Sequence, residues 1–129
     1  MSDIYLDNNA TTRVDPDVVA AMLPFFTEQF GNPSSLHNFG NRVGLALKNA
    51  RKSVQKLLGA ELDSEIIFTS CGTEADSTAI LSAIKAQPER KEIITTVVEH
   101  PAILNLCDYL ATEGYTIHKL PVDEKGRLD

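Results

Sequence analysis

Ile66-Ile67-Phe68-Thr69-Ser70-Cys71-Gly72-Thr73-Glu74-Ala75-Asp76-Ser77-Thr78-Ala79 decides how this chain is read. A short apolar, β-branched run stops at Ser-Cys-Gly-Thr and opens at once into a helical pattern. A strand-to-helix turn of this kind aims the free N–H groups of a helix start, with two or three hydroxyls, at one point. Unpaired donors and the helix dipole both favour negative charge there, so the point suits a phosphate. Gly72 lets backbone approach a ligand where a Cβ would intrude. Thr73 is placed to cap the helix and still offer its hydroxyl to a phosphate oxygen. Taken alone, the segment reads more simply as a capped turn with no ligand; motifs elsewhere in the chain reverse that order.

Outward from this turn, strands alternate with helices. Glu65–Thr69 reads as a strand, Thr73–Ala86 as a helix, Ile93–Val98 as a strand, Pro101 to Glu113 as a helix stopped by Gly114, and Tyr115–Leu120 as a third strand. Such alternation predicts an α/β fold with a mainly parallel sheet covered by helices. Upstream, Ile4-Tyr5-Leu6 predicts a minimal strand or arm before the polar turn Asp7–Thr12. Asp15-Pro16 reads as N-cap and first helical residue. Val18, Val19, Met22, Leu23, Phe25, Phe26 and Phe30 give that helix an apolar side, and Pro24 is expected to kink or divide it. After Gly31-Asn32-Pro33-Ser34-Ser35, a longer helix is expected from His37 to Leu58, stopped by Gly59. Pro121–Asp129 reads as a connection to a next element, so the chain is expected to be the front part of a larger protein.

With 129 residues, 43% apolar and 23% charged, the composition is that of one ordinary soluble domain. The net charge of −6 comes with scattered Lys and Arg, which argues against nucleic acid or an anionic membrane as partner. No apolar stretch is long enough to span a bilayer, and residues 1–12 lack a signal peptide's pattern, so a cytoplasmic protein is expected. Two cysteines, Cys71 and Cys107, make no disulfide framework, and a structural metal site is not expected.

In open α/β sheets ligands sit beyond the carboxyl ends of the strands. Ile93–Val98 leads into Glu99-His100-Pro101. If that strand runs parallel to Ile66–Thr69, His100 emerges on the same edge as the Gly72-Thr73 turn. An imidazole there could stack on a ligand ring, hydrogen-bond it or move protons near neutral pH. A solvent-facing histidine at a helix start is the competing reading, and the residues alone leave the two level.

Asp7–Thr12, Gly31–Ser35, Phe68–Glu74 and Val98–Pro101 together, in this order and spacing, resemble the pyridoxal-phosphate-dependent cysteine desulfurases, most closely the nitrogen-fixation type. The resemblance runs from Ile4 to Asp129. It implies part of the large domain of the aspartate-aminotransferase-like fold (PLP-dependent transferase fold type I), with residues 1–15 an arm toward the small domain and 16–129 an incomplete PLP-binding large domain. It implies that Gly72 and Thr73 hold the phosphate of pyridoxal 5'-phosphate and that His100 stacks on its ring and serves acid–base steps. It further implies L-cysteine as substrate, L-alanine as product and a persulfide on an enzyme cysteine. An iron–sulfur scaffold protein would accept the sulfur, for nitrogenase maturation, and the parent would be a homodimer. Asn8–Thr12 matches a segment at the substrate end of the cleft; Asn32 and Ser34 match an entrance loop, or form a structural turn.

The family's Schiff-base lysine, pyridine-pairing aspartate and persulfide cysteine have no match among these residues. None of Lys48, Lys52, Lys56, Lys85, Lys91, Lys119 and Lys125 lies in the required motif. Cys107 reads as a small buried packing residue; Cys71 could be exposed and thiolate-prone at a helix start, although packing is the simpler reading. His37 and His118 read as ordinary helix and strand residues. Glu74 and Asp76 suit the helix dipole without a ligand role. The chain alone is therefore expected to be inactive, and its narrow sheet, with an edge left uncovered, to make it poorly stable or self-associating. Other readings are a different fold-type-I enzyme (selenocysteine lyase or aminotransferase), a non-catalytic phosphate-binding module, or a folding or interaction piece.

Overall fold

Asp15 and Pro16 start the first helix as their residue types dictate. In the computed structural model, which describes residues 4–128, α1 spans Pro16–Thr27, and the Asp15 carboxylate accepts the Asp17 N–H at 2.8 Å. The helix continues through Pro24 as one element rather than dividing there, and it ends before Phe30. Its apolar side forms as the spacing predicts, yet no residue of α1 is buried. Ile4–Leu6 is not a strand. The Tyr5 hydroxyl lies 2.7 Å from the Asp7 carbonyl and 3.0 Å from that of Thr11, which folds this segment onto its own turn.

Helix α2 (Asn38–Leu58) starts one residue later than its pattern suggests, because His37 is the cap: its Nδ1 accepts the Gly40 N–H at 3.4 Å. Gly40 is buried where a Cβ would strike the Asn32 and Ser35 carbonyl oxygens, so only glycine lets the Asn32–Ser35 turn close on the helix. Asn32 shapes that turn itself, with its Oδ1 accepting the Ser34 N–H at 2.9 Å. Gly59 ends α2 in the left-handed conformation at φ 71°. A short 3-10 turn, Asp63–Glu65, follows, and the Arg51 guanidinium donates to the Ile66 carbonyl at 3.2 Å. These elements form one compact unit, up to Ile66.

The second unit begins at Ile67. It holds α3 (Gly72–Ala86), β1 (Glu92–Thr96), α4 (Pro101–Thr112) and β2 (Thr116–Leu120). Strands β1 and β2 pair in parallel with Ile93 opposite Ile117 and Ile94 opposite His118, and α4 is the crossover such a pair requires. Among the described residues two strands form where three were expected. Ile66 has extended backbone, but residues 66–69 join no ladder among the described residues, and Ile67 is 71% exposed. A strand exists through its hydrogen-bonded neighbour, and an apolar run without one remains coil. α4 packs against α3 and β2. Its inner face supplies the buried apolar centre, Cys107 at 0% and Leu110 at 3% exposure. The Asp108 carboxylate pairs with Lys119 of β2, and His118 with Glu92 at 2.8 Å. Beyond β2, Asp123 closes a turn by accepting the Lys125 and Arg127 N–H groups at 2.8 and 2.9 Å. No helix among the described residues is long and apolar enough to cross a membrane.

Candidate functional site

Helix α3 begins without a side-chain hydrogen bond to cap it, and its N-cap is Cys71 rather than Thr73. Thr73 is the second helical residue, so its hydroxyl is not needed to close the helix. The first intrahelical bond runs from Ala75 N–H to the Cys71 carbonyl at 3.1 Å, which leaves the N–H groups of Gly72, Thr73 and Glu74 at the exposed helix start. Among the described residues, a Cβ placed on Gly72 would meet nothing within 4 Å beyond its chain neighbours and its own helix, so the space on that side is open. The donors and the open backbone fit a phosphate group.

The hydroxyls do not all converge as the sequence suggests. Thr69 donates its hydroxyl to the Cys71 carbonyl at 3.1 Å. Ser70 sends both its hydroxyl and its N–H to one oxygen of Glu74, at 2.6 and 2.7 Å. Thr73 is the hydroxyl left for a ligand. The engagement of Glu74 went unread in the sequence, although glutamate at the third helical position is a known signal. Such a side chain normally reaches back to the N-cap N–H, and here it reaches one residue further, to Ser70. These bonds hold the Glu74 carboxyl below the usual range, the Ser70 hydroxyl contributing most and its N–H next.

Cys71 is exposed beside the same N–H groups rather than packed as its sequence reading preferred, because it caps a helix start with open solvent around it. The N–H of Glu74, then the Ser70 hydroxyl 3.8 Å from the sulfur, lower its pKa below that of an ordinary thiol, against the opposing Glu74 charge. Cys107 is the reverse case, with burial raising its pKa.

His100 stands as N-cap of α4, past the carboxyl end of β1. Its Nδ1 accepts the Ala102 N–H at 3.1 Å, so the neutral ring carries its proton on Nε2. Thr96 shapes the approach to it, accepting the Val98 N–H at 3.4 Å and donating to Glu99 at 3.2 Å. β1 accordingly ends at Thr96, two residues before the expected end. His100 and the Gly72-Thr73 turn thus stand at the starts of two helices that pack together. They share no hydrogen bond or ring contact among the described residues. A hollow of about 540 Å³ lined by Pro121, Val122, Asp123, Arg127 and Leu128 has no residue in common with either. No cluster of metal-binding side chains occurs among the described residues.

This pattern has known relatives. The family described as Aminotransferase class-V matches residues 4–129. The chain belongs to that family. Class-V aminotransferases are in general pyridoxal-phosphate enzymes. Over its whole length the chain is 83% identical to a protein of Azotobacter vinelandii named cysteine desulfurase NifS, covering 32% of it. It is 74% identical to a cysteine desulfurase of Azotobacter chroococcum mcd 1, again covering 32%. The chain therefore spans about a third of the length of the curated relatives it matches. Among solved structures it resembles a NifS-like protein, with TM-score 0.90 and 42% identity over 98% of this chain and 35% of that one. A structure described as SspA in complex with cysteine matches with TM-score 0.78 and 34% identity, over 90% of this chain and 33% of the other. The class-V likeness supports fold type I and extends to Ile66–Thr69, the segment that stays coil here.

Proposed function

We propose that this chain is part of a pyridoxal-phosphate-dependent cysteine desulfurase, which converts L-cysteine to L-alanine and passes the sulfur on as an enzyme-bound persulfide. The observation that carries the reading is 83% identity across every residue of the chain to a cysteine desulfurase. The donor set at the start of α3 supports it independently. The N–H groups of Gly72 and Thr73, with the Thr73 hydroxyl, hold the cofactor phosphate. When bound, the cofactor's ring supplies an electron sink for charge developing on the substrate. His100 would serve the acid–base steps beside the bound cofactor: its Nε2 holds an exchangeable proton, and its Nδ1 bond to the Ala102 N–H fixes the imidazole's orientation. The segment up to residue 15, of which residues 1–3 lie outside the described residues, serves as an arm toward a small domain. The enzyme works as a cytoplasmic homodimer that delivers sulfur to an iron–sulfur scaffold protein, in the service of nitrogen fixation.

The test is an assay of the full-length enzyme with L-cysteine, with L-selenocysteine, and with an amino acid plus a 2-oxo acid. The reading expects L-alanine and transferable sulfur in equal amounts from L-cysteine. Transamination without sulfur release, or turnover of selenocysteine alone, would assign the chain to another enzyme of the same fold.

A further inference from the structure

We propose that Glu74 is a positioning residue for the cofactor phosphate, holding the Ser70-Cys71-Gly72-Thr73 turn in the shape that leaves its last two N–H groups and the Thr73 hydroxyl open; this rests on the reading of that turn as the phosphate site. A carboxylate in the first turn of α3 brings negative charge close to where a phosphate would sit, and on charge alone it should weaken binding. The structure gives it a compensating task. One Glu74 oxygen accepts both the hydroxyl and the N–H of Ser70, at 2.6 and 2.7 Å. The bonds tie the residue two before the helix to its third residue, with Cys71, Gly72 and Thr73 enclosed between them. The other side-chain bonds on this segment end at Cys71: the Thr69 hydroxyl donates to its carbonyl at 3.1 Å, and the Ser70 hydroxyl lies 3.8 Å from its sulfur. Among the described residues, no side-chain hydrogen bond caps α3, a Cβ on Gly72 would meet nothing within 4 Å beyond its chain neighbours and its own helix, and residues 66–69 join no ladder. The same bonds occupy Ser70, so Glu74 also determines which hydroxyl remains available.

Position and charge can be separated, because both Ser70 donors use a single oxygen. Glutamine presents an equivalent carbonyl oxygen without the charge, whereas alanine presents nothing. In the full-length enzyme, Glu74→Ala is expected to weaken pyridoxal phosphate binding about fivefold, while Glu74→Gln keeps wild-type affinity or exceeds it. Cofactor dissociation constants by absorbance titration provide the readout, with Thr73→Ala as reference. Ser70→Ala, which removes one of the two bonds and leaves the helix sequence intact, is expected to fall between wild type and Glu74→Ala; it serves as the test should Glu74→Ala fail to fold. If Thr73→Ala loses cofactor while Glu74→Ala and Ser70→Ala do not, the positioning role is wrong and the site stands. If none of the three loses cofactor, the phosphate site itself is wrong. Equal losses in Glu74→Gln and Glu74→Ala would contradict the positioning role, because glutamine keeps the accepting oxygen.

Discussion

The Nδ1 of His100 accepts the backbone N–H of Ala102, so one imidazole both caps α4 and presents its proton on the opposite nitrogen. The two roles can be taken apart. Asparagine caps a helix well but does not titrate near neutral pH. His100→Asn should therefore keep the unfolding midpoint of the wild type, and His100→Ala should lower it by about 1 kcal/mol of stability. If the proposed function holds, both should reduce desulfurase turnover of the full-length enzyme by roughly 10²–10⁴, with a smaller effect on cofactor affinity. Wild-type turnover in His100→Asn would leave His100 as a cap alone.

The two cysteines should differ sharply toward a thiol reagent. Cys71 is exposed and its pKa is lowered, chiefly by the Glu74 N–H; Cys107 is fully buried and its pKa is raised, chiefly by that burial. Peptide mapping after brief alkylation should find Cys71 modified first, and at a lower pH than a free thiol requires. Added pyridoxal phosphate should slow that reaction. Equal labelling of both residues in the folded protein would contradict this packing of α4.

Acid should weaken the fold through two exposed carboxylates. Glu74 is held below the usual range by the Ser70 hydroxyl first, and Asp123 by the Arg127 backbone N–H first and its guanidinium next. A carboxyl with a depressed folded pKa takes up its proton more readily once unfolded. Its contribution is thus complete above the ordinary carboxylate range and is lost as pH falls through the folded value. Urea midpoints measured across this range should separate wild type from Asp123→Asn at neutral pH and converge in acid. Curves that stay parallel down to the lowest pH would remove Asp123 from the account.

Leu110 and Cys107 form the buried centre of the second unit. Leu110→Ala should cost about 2–3 kcal/mol, toward the low end for a buried leucine because so small a centre can collapse around the gap. An unchanged urea midpoint would show that α4 is not held by this face.

The helix ends were legible because their signals are local. Asp15-Pro16, Gly59, Pro101 and Gly114 act within a turn of the chain, and each lies where its chemistry places a helix boundary. The parallel pair β1 and β2 was legible as well, since a strand, a helix and a strand in succession dictate it. Ile66–Thr69 was not, because composition makes a strand candidate and only a neighbouring strand makes a strand. At the site, Gly72 and His100 could be read as positions in turns. The cap could not: Cys71 takes it from Thr73, and the bond from Ser70 to Glu74 is a side-chain choice that periodicity does not encode.

The most direct measurement of the central claim compares pyridoxal phosphate with pyridoxal, which lacks only the phosphate, on wild-type full-length enzyme and on Thr73→Ala. Thr73→Ala should bind pyridoxal phosphate roughly tenfold to a hundredfold more weakly, the value of one hydrogen bond to a charged group, and should bind pyridoxal as the wild type does. Equal weakening for both ligands, or for neither, would contradict the assignment of the Gly72-Thr73 turn as the seat of the cofactor phosphate.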